Sequence, residues 1–261
     1  MVPSAQITHW RQKAPWAGDD DVEQDLVICR SIVDIFQTPF LRERLAFRGG
    51  TALHKLILTP ATRYSEDIDL VFLAREGVGA IFDAMREALS WLDSKPKTNI
   101  STFATMYFTF QTNAGTTRRL KVETATRESF SASRVLDVPF SVASPFFEGS
   151  ANVRTYAIEE LLATKFRALY ERKKGRDLYD LWWAAQQKHV DFDRVYELFL
   201  EYWRNDGKKP LTRRNVRVNL KEKFQQGVFA EVKPLLTTNA EYDDAAAYAW
   251  FERTVLPVFP I

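Results

Sequence analysis

The fold class this sequence predicts is α/β: a mixed sheet flanked by helices, followed by a helical second lobe. Three observations predict it. Apolar residues recur at helical spacing through Val22–Phe36, and side chains alternate strictly across Phe103–Phe110. The third is a short apolar run, Leu45-Ala46-Phe47-Arg48, which passes through Gly49-Gly50-Thr51 directly into a helical pattern at Ala52–Leu58.

In the first helix Leu26, Ile28, Cys29, Ile32, Val33, Ile35 and Phe36 form the buried stripe, and Pro39 prevents simple continuation. Ile68–Leu73 is a strongly apolar strand, and Val78–Leu92 is helical through Ile81, Phe82, Met85, Leu89 and Leu92. After the alternating strand, Asn113-Ala114-Gly115 turns the chain into a hairpin partner at Arg119–Ala125. Pro139, Pro145 and Gly149 mark a less regular segment. Helices are then expected at Ile158–Arg172, Asp177–Gln187, Phe192–Arg204, Val216–Gln226 and Tyr242–Val255. The lobe boundary is expected near residue 150, giving an α/β lobe at 1–150 and a helical lobe at 151–261.

With 261 residues and 46% hydrophobic content the chain can bury a substantial core. Lys plus Arg number 36 against 34 Asp plus Glu, a net charge of +2, so affinity for a polyanion has to come from local patches. Cys29 is the single cysteine, which excludes an intrachain disulfide. No apolar run reaches the roughly 18 residues of a membrane span. The opening residues lack the basic and apolar regions of a secretion signal, so a cytoplasmic protein is expected. His9, His54 and His189 share no ligand spacing, and no histidine stands near Cys29, which argues against zinc chemistry and a hydrolytic triad.

The chemistry concentrates in two segments. In Arg63-Tyr64-Ser65-Glu66-Asp67-Ile68-Asp69-Leu70, Asp67 and Asp69 are two apart at the start of a strand, so they project to one side about 7 Å apart. Such neighbours repel unless a cation neutralises them, and their oxygens suit Mg²⁺, which commonly also takes substrate phosphates. Gly49 and Gly50 leave backbone amides open to a phosphate. Taken singly, an Asp-x-Asp is more often a solvated strand edge and a Gly-Gly a plain turn. Their joint order, strand, Gly-Gly, helix, then Asp-x-Asp opening an apolar strand, points to a metal–phosphate site. In the second segment Lys165 lies four residues from both Leu161 and Leu169, inside an apolar stripe, where a lysine is costly without a carboxylate. Asp177 and Asp180 open the next helix and either can reach it; a snorkelling lysine and helix-starting aspartates are the ordinary alternative.

Arg48-Gly49-Gly50-Thr51-Ala52-Leu53 followed by Arg63–Leu70 resembles the AbiEii/AbiGii toxin family, which includes the MenT toxins, within the polymerase-beta-type nucleotidyltransferase superfamily. The run from Glu160 to Leu181, with Lys165, Arg172, Asp177 and Asp180, is similar to that family's second block. Together the blocks cover roughly residues 45–185. Gly-Gly in place of Gly-Ser, and the longer gap to the first aspartate, depart from the wider superfamily but not from this family.

The resemblance implies a nucleotidyltransferase fold whose active site lies in a cleft completed by the helical lobe, with Mg²⁺ on Asp67 and Asp69. It implies Glu123, in Lys121-Val122-Glu123, as third metal ligand or as base; an exposed cross-strand ion pair is the alternative. A nucleoside triphosphate would meet Gly49, Gly50, Thr51, Ser65, Lys165 and Asp177, with Asp180 favoured as the residue that orients Lys165. Ser65 stands two before Asp67, where a phosphate would crowd the carboxylates, although bonding the turn is its simpler role. The implied reaction adds a nucleotide to an RNA acceptor, the 3′ end of tRNA, and so inhibits translation and growth; a separately encoded antitoxin is the implied partner. A protein or small-molecule acceptor, or a non-catalytic RNA-binding module, are the rival readings. Clustered like charge argues against the last, since a dead site has no need of it.

One further surface is expected to meet RNA. Between Arg204 and Lys223 the basic residues, Arg213, Arg214 and Arg217 among them, outnumber the acids, and Trp203 or Phe224 is positioned to stack on an unpaired base. A solvated helix face is the alternative.

Overall fold

The computed structural model describes residues 2–74, 77–125 and 131–261, which divide into two compact units, one ending at Tyr156 and the other spanning Ala157–Ile261. The first unit contains helices α1 (Ser4–Trp10), α2 (Asp19–Gln37), α3 (Pro39–Arg44), α4 (Gly49–Ala52) and α5 (Val78–Ala88). Its strands are β1 (Leu45–Arg48), β2 (Asp67–Phe72), β3 (Lys97–Ile100), β4 (Phe103–Gln111), β5 (Thr117–Ala125), β6 (Val135–Ser144) and β7 (Phe147–Tyr156).

They form one seven-stranded sheet in the order β3-β4-β5-β2-β1-β7-β6. The sheet is mixed, as predicted: β2 runs antiparallel to β1 and parallel to β5. Because alternate side chains leave opposite faces, Ile68, Leu70 and Phe72 of β2 share one face with Leu120 and Val122 of β5 and Met106 and Phe108 of β4. That face is buried in a single apolar cluster with Ile28, Ile32, Ile35 and Phe36 of α2 and Ile81 and Met85 of α5. Burying each such side chain is worth about 1.5–3 kcal/mol, so the polar face opposite is held by this core rather than by its own contacts.

A buried carboxylate fixes α2 against its surroundings. Asp25 accepts hydrogen bonds from the indoles of Trp10 and Trp16, both at 2.9 Å, and pairs with Lys55 in the turn after α4. Burial alone would favour a neutral Lys55, but Asp25 outweighs it and holds the ammonium up at about 12. Burial likewise pushes the Cys29 thiol up to about 12, which makes it an inert core residue.

The segment around Pro139, Pro145 and Gly149, expected to be less regular, is instead the β6–β7 hairpin. Pro139 is accommodated because β6 is a sheet edge, where a missing donor breaks no ladder on the open side. The second unit holds α6 (Ile158–Glu171), α7 (Gly175–Gln187), α8 (Phe192–Asn205), α9 (Arg213–Gln225) and α10 (Asp244–Trp250). Phe166 of α6 packs at 6.0–6.3 Å between ring centroids against Phe192, Phe199, Phe251 and Phe259. No helix among the described residues is long and apolar enough to cross a membrane.

Candidate active site

The strand register builds the first half of the site. Arg48 of β1 stands opposite Asp69, and Asp69 opposite Glu123 of β5; one step along, Asp67 stands opposite Lys121. Directly paired residues share a face, so the carboxylates of Asp67, Asp69 and Glu123 and the ammonium of Lys121 occupy one polar patch. Lys121 Nζ lies 3.0 Å from Glu123 Oε2 and 3.6 Å from Asp67 Oδ2. Half-burial pulls its pKa down, but Asp67, Glu123 and Asp69 outweigh that and leave it raised. Sequence spacing paired Lys121 with Glu123; the pairing with Asp67 comes only from the parallel register.

Gly49 is the second element. Its φ of +79° belongs to the left-handed region, and a Cβ built there would fall 2.1 Å from Asp69 Oδ2. No side chain fits that gap, so the carboxylate of Asp69 faces the glycine corner at backbone distance. A Gly49→Ala protein is therefore expected to lose about 1–3 kcal/mol of stability, a melting-temperature drop of several degrees. Wild-type melting in that variant would show that the corner is not closed.

Thr51 ties the corner to β2. Its hydroxyl, buried, lies 2.5 Å from the Asp67 carbonyl oxygen and 2.7 Å from the Ser65 hydroxyl. A carbonyl only accepts, so Thr51 donates to Asp67 and accepts from Ser65, which fixes the turn ahead of the carboxylates.

The patch fits a divalent cation. Mg²⁺ is commonly bound through one or two carboxylates plus substrate phosphates, and Asp67 and Asp69 supply that set. Among the described residues no three His, Cys, Asp or Glu side chains form a ready cage, and Glu123 is engaged with Lys121.

In the second unit Lys165, 7% exposed at the side chain, meets two fully buried carboxylates, Asp180 at 2.7 Å and Asp177 at 3.3 Å. Sequence spacing left the choice open between them; the lysine touches both. Arg172 also reaches Asp177, donating from Nε at 2.7 Å and from a terminal nitrogen at 2.8 Å. Burial pushes the Asp177 carboxyl up, yet Lys165 and Arg172 together hold it below the ordinary carboxylate range.

The basic run is less available than the sequence suggested. The Arg213 guanidinium donates to the carbonyls of Phe259 and Pro257, and Lys223 donates to the carbonyls of Leu169 and Tyr170. The expected stacking residues are also committed. Trp203 is buried against Phe199 and Tyr170 and donates to the Lys209 carbonyl, while Phe224 stacks on Tyr248 at 4.7 Å. A packed aromatic cluster took these rings because α8 and α9 have their apolar stripes there. Arg214, Arg217 and Lys221 remain exposed.

Comparison with known proteins follows the same lines. Residues 30–250 match the model of the family described as nucleotidyl transferase AbiEii toxin, type IV toxin–antitoxin system. Among solved structures, the chain is similar to the nucleotidyltransferase toxin MenT4 from Mycobacterium tuberculosis, with a TM-score of 0.62 and 20% identity over 100% of both chains. A nucleotidyltransferase-like antigenic protein from Paracoccidioides brasiliensis aligns at a TM-score of 0.41 and 16% identity, over 77% of this chain and 96% of that one. No curated protein sequence matches.

Proposed function

Because the chain belongs to the AbiEii nucleotidyltransferase toxin family, we propose that it transfers a nucleoside monophosphate from a nucleoside triphosphate to an RNA hydroxyl. On this reading the acceptor is the 3′ end of tRNA, pyrophosphate leaves, and translation and growth stop until a cognate antitoxin intervenes. The reaction takes place in the cytosol. The observation that carries the reading is the glycine corner: Gly49 admits no side chain because Asp69 stands against it, with Asp67 on the same strand face.

Asp67 and Asp69 would hold Mg²⁺, which when bound neutralises phosphate charge and polarises the transferring group. The backbone amides of Gly49 and Gly50 receive phosphate oxygens, and Thr51 and Ser65 keep that loop in place. Glu123 serves as a third ligand or takes the proton of the attacking hydroxyl. Lys165 neutralises the triphosphate, with Asp180 and Asp177 setting its position. The acceptor hydroxyl attacks the alpha phosphorus in line, opposite the departing pyrophosphate oxygen.

The direct test incubates the pure protein with Mg²⁺, each labelled triphosphate in turn, and total tRNA or total protein. Label is expected in the tRNA fraction, removable with the terminal nucleotide, and absent when the cation is chelated. Label in protein alone would assign a different acceptor, and no incorporation with any triphosphate would remove the catalytic reading.

A further inference from the structure

We propose that the polar face carrying Asp67 and Asp69 continues across the sheet as a landing strip for the 3′ end of a single-stranded polyribonucleotide. Tyr107, Arg119 and Lys97 are its contact residues; the inference rests on the RNA-acceptor reading above.

The register carries it. Asp67 stands opposite Lys121, Lys121 opposite Tyr107, and Tyr107 opposite Lys97, so one unbroken row crosses β2, β5, β4 and β3. A parallel row runs Asp69, Glu123, Thr105, Asn99. Paired residues project to the same side, and strands lie about 4.8 Å apart, which sets Lys97 roughly 14 Å from Asp67 along the row. Arg119, next to Lys121 on that face, pairs with Thr109 and holds its guanidinium 5.6 Å from the Tyr107 ring centroid.

Charge and exposure select the occupant. Lys97 and Arg119 are exposed, and among the described residues neither has a carboxylate partner. Elsewhere in this unit Arg42, Arg86, Arg118 and Arg154 each face an aspartate. Two uncompensated cations flank a half-buried tyrosine in line with the carboxylates, and this is the arrangement that neutralises backbone phosphates while an aromatic or guanidinium plane stacks a splayed base. On the basic helix α9 the half-buried Phe224 already stacks on Tyr248 at 4.7 Å, and Trp203, at the end of α8, is buried against Phe199.

The full chain is tested first by binding, without metal or triphosphate, to a fluorescent single-stranded oligoribonucleotide, and then by transfer at saturating triphosphate. A Lys97→Glu, Arg119→Glu double variant is expected to weaken binding and raise the acceptor KM about tenfold or more, with the triphosphate KM within about twofold. The slope of log affinity against log salt should fall by about 1–2. Tyr107→Phe should bind as wild type and Tyr107→Leu about tenfold more weakly. Wild-type affinity and salt slope in the double variant would overturn the strip, as would an equal loss from Arg214→Glu, Arg217→Glu instead, which would move the acceptor to α9. Wild-type protein that binds the oligomer but transfers nothing would refute the enzymatic reading and leave the strip standing.

Discussion

An Asp67→Ala protein is expected to lose nucleotide transfer by about a thousandfold or more while its melting temperature moves by no more than a few degrees. The two halves of that expectation have different causes. A cation held by two carboxylates supplies several kcal/mol of transition-state charge stabilisation, and each 1.36 kcal/mol is tenfold in rate. The fold loses little, because the Asp67 side chain is 31% exposed, and ion pairs at such partly exposed sites are worth about 0–1 kcal/mol. Lys121 keeps Glu123 at 3.0 Å, and the repulsion between Asp67 and Asp69 disappears with the carboxylate. Added Mg²⁺ should raise the melting temperature of the wild type and not of the variant, since only a folded state with the site intact binds it. Full turnover by Asp67→Ala would sink the metal assignment.

The second large effect is on stability. Lys165→Met leaves Asp177 and Asp180 buried, with Arg172 still paired to Asp177, and removing one partner of a buried ion cluster costs about 3–5 kcal/mol. That is a fall of on the order of 10 °C in the melting temperature for a chain of this size. Acid should narrow the gap. In the wild type the Asp177 carboxyl is held below its unfolded value, so its contribution is present above about pH 4 and fades as the pH falls through the folded value. In the variant the lowering by Lys165 is gone and the carboxyl rises toward or past its unfolded value, so less of that stabilisation is present at neutrality. Wild type and Lys165→Met should therefore differ more at pH 7 than at pH 4, and an equal gap at both would mean that Asp177 does not feel Lys165. Lys165→Arg keeps the charge and most of the stability, but a planar fork replaces a point charge. Unaltered triphosphate affinity and rate in Lys165→Arg would take this lysine out of the reaction.

What the sequence revealed divides along physical lines. Long periodic segments were legible: α2, β4, β5 and the helices α6 to α8 each lie within a few residues of their expected bounds, because one buried face writes its period into the chain. So was the pair Asp67 and Asp69, since a two-residue spacing in a strand leaves only one geometry. The β6–β7 hairpin was not legible, because an edge strand keeps Pro139 and carries no clean alternation. Nor was β3, whose four residues are all exposed and leave no apolar pattern. The row that joins Asp67 to Lys121 and Tyr107 depends on register between strands distant in sequence, which no local spacing encodes. In the basic run, charge was visible, but the carbonyls that engage Arg213 and Lys223 come from segments distant in sequence, Pro257 and Phe259 for the one and the last turn of α6 for the other.

The two rims of the sheet bear on how this chain behaves in crowded solution. One rim is a strand only four residues long that opens on a lysine; the other has a proline in place of a backbone donor. Both offer a neighbouring copy little unbroken ladder, so the hairpin of two ten-residue strands can sit at the boundary without the sheet extending into another molecule. The strand that supplies Lys97 is thus also one of the two that blunt edge-to-edge pairing.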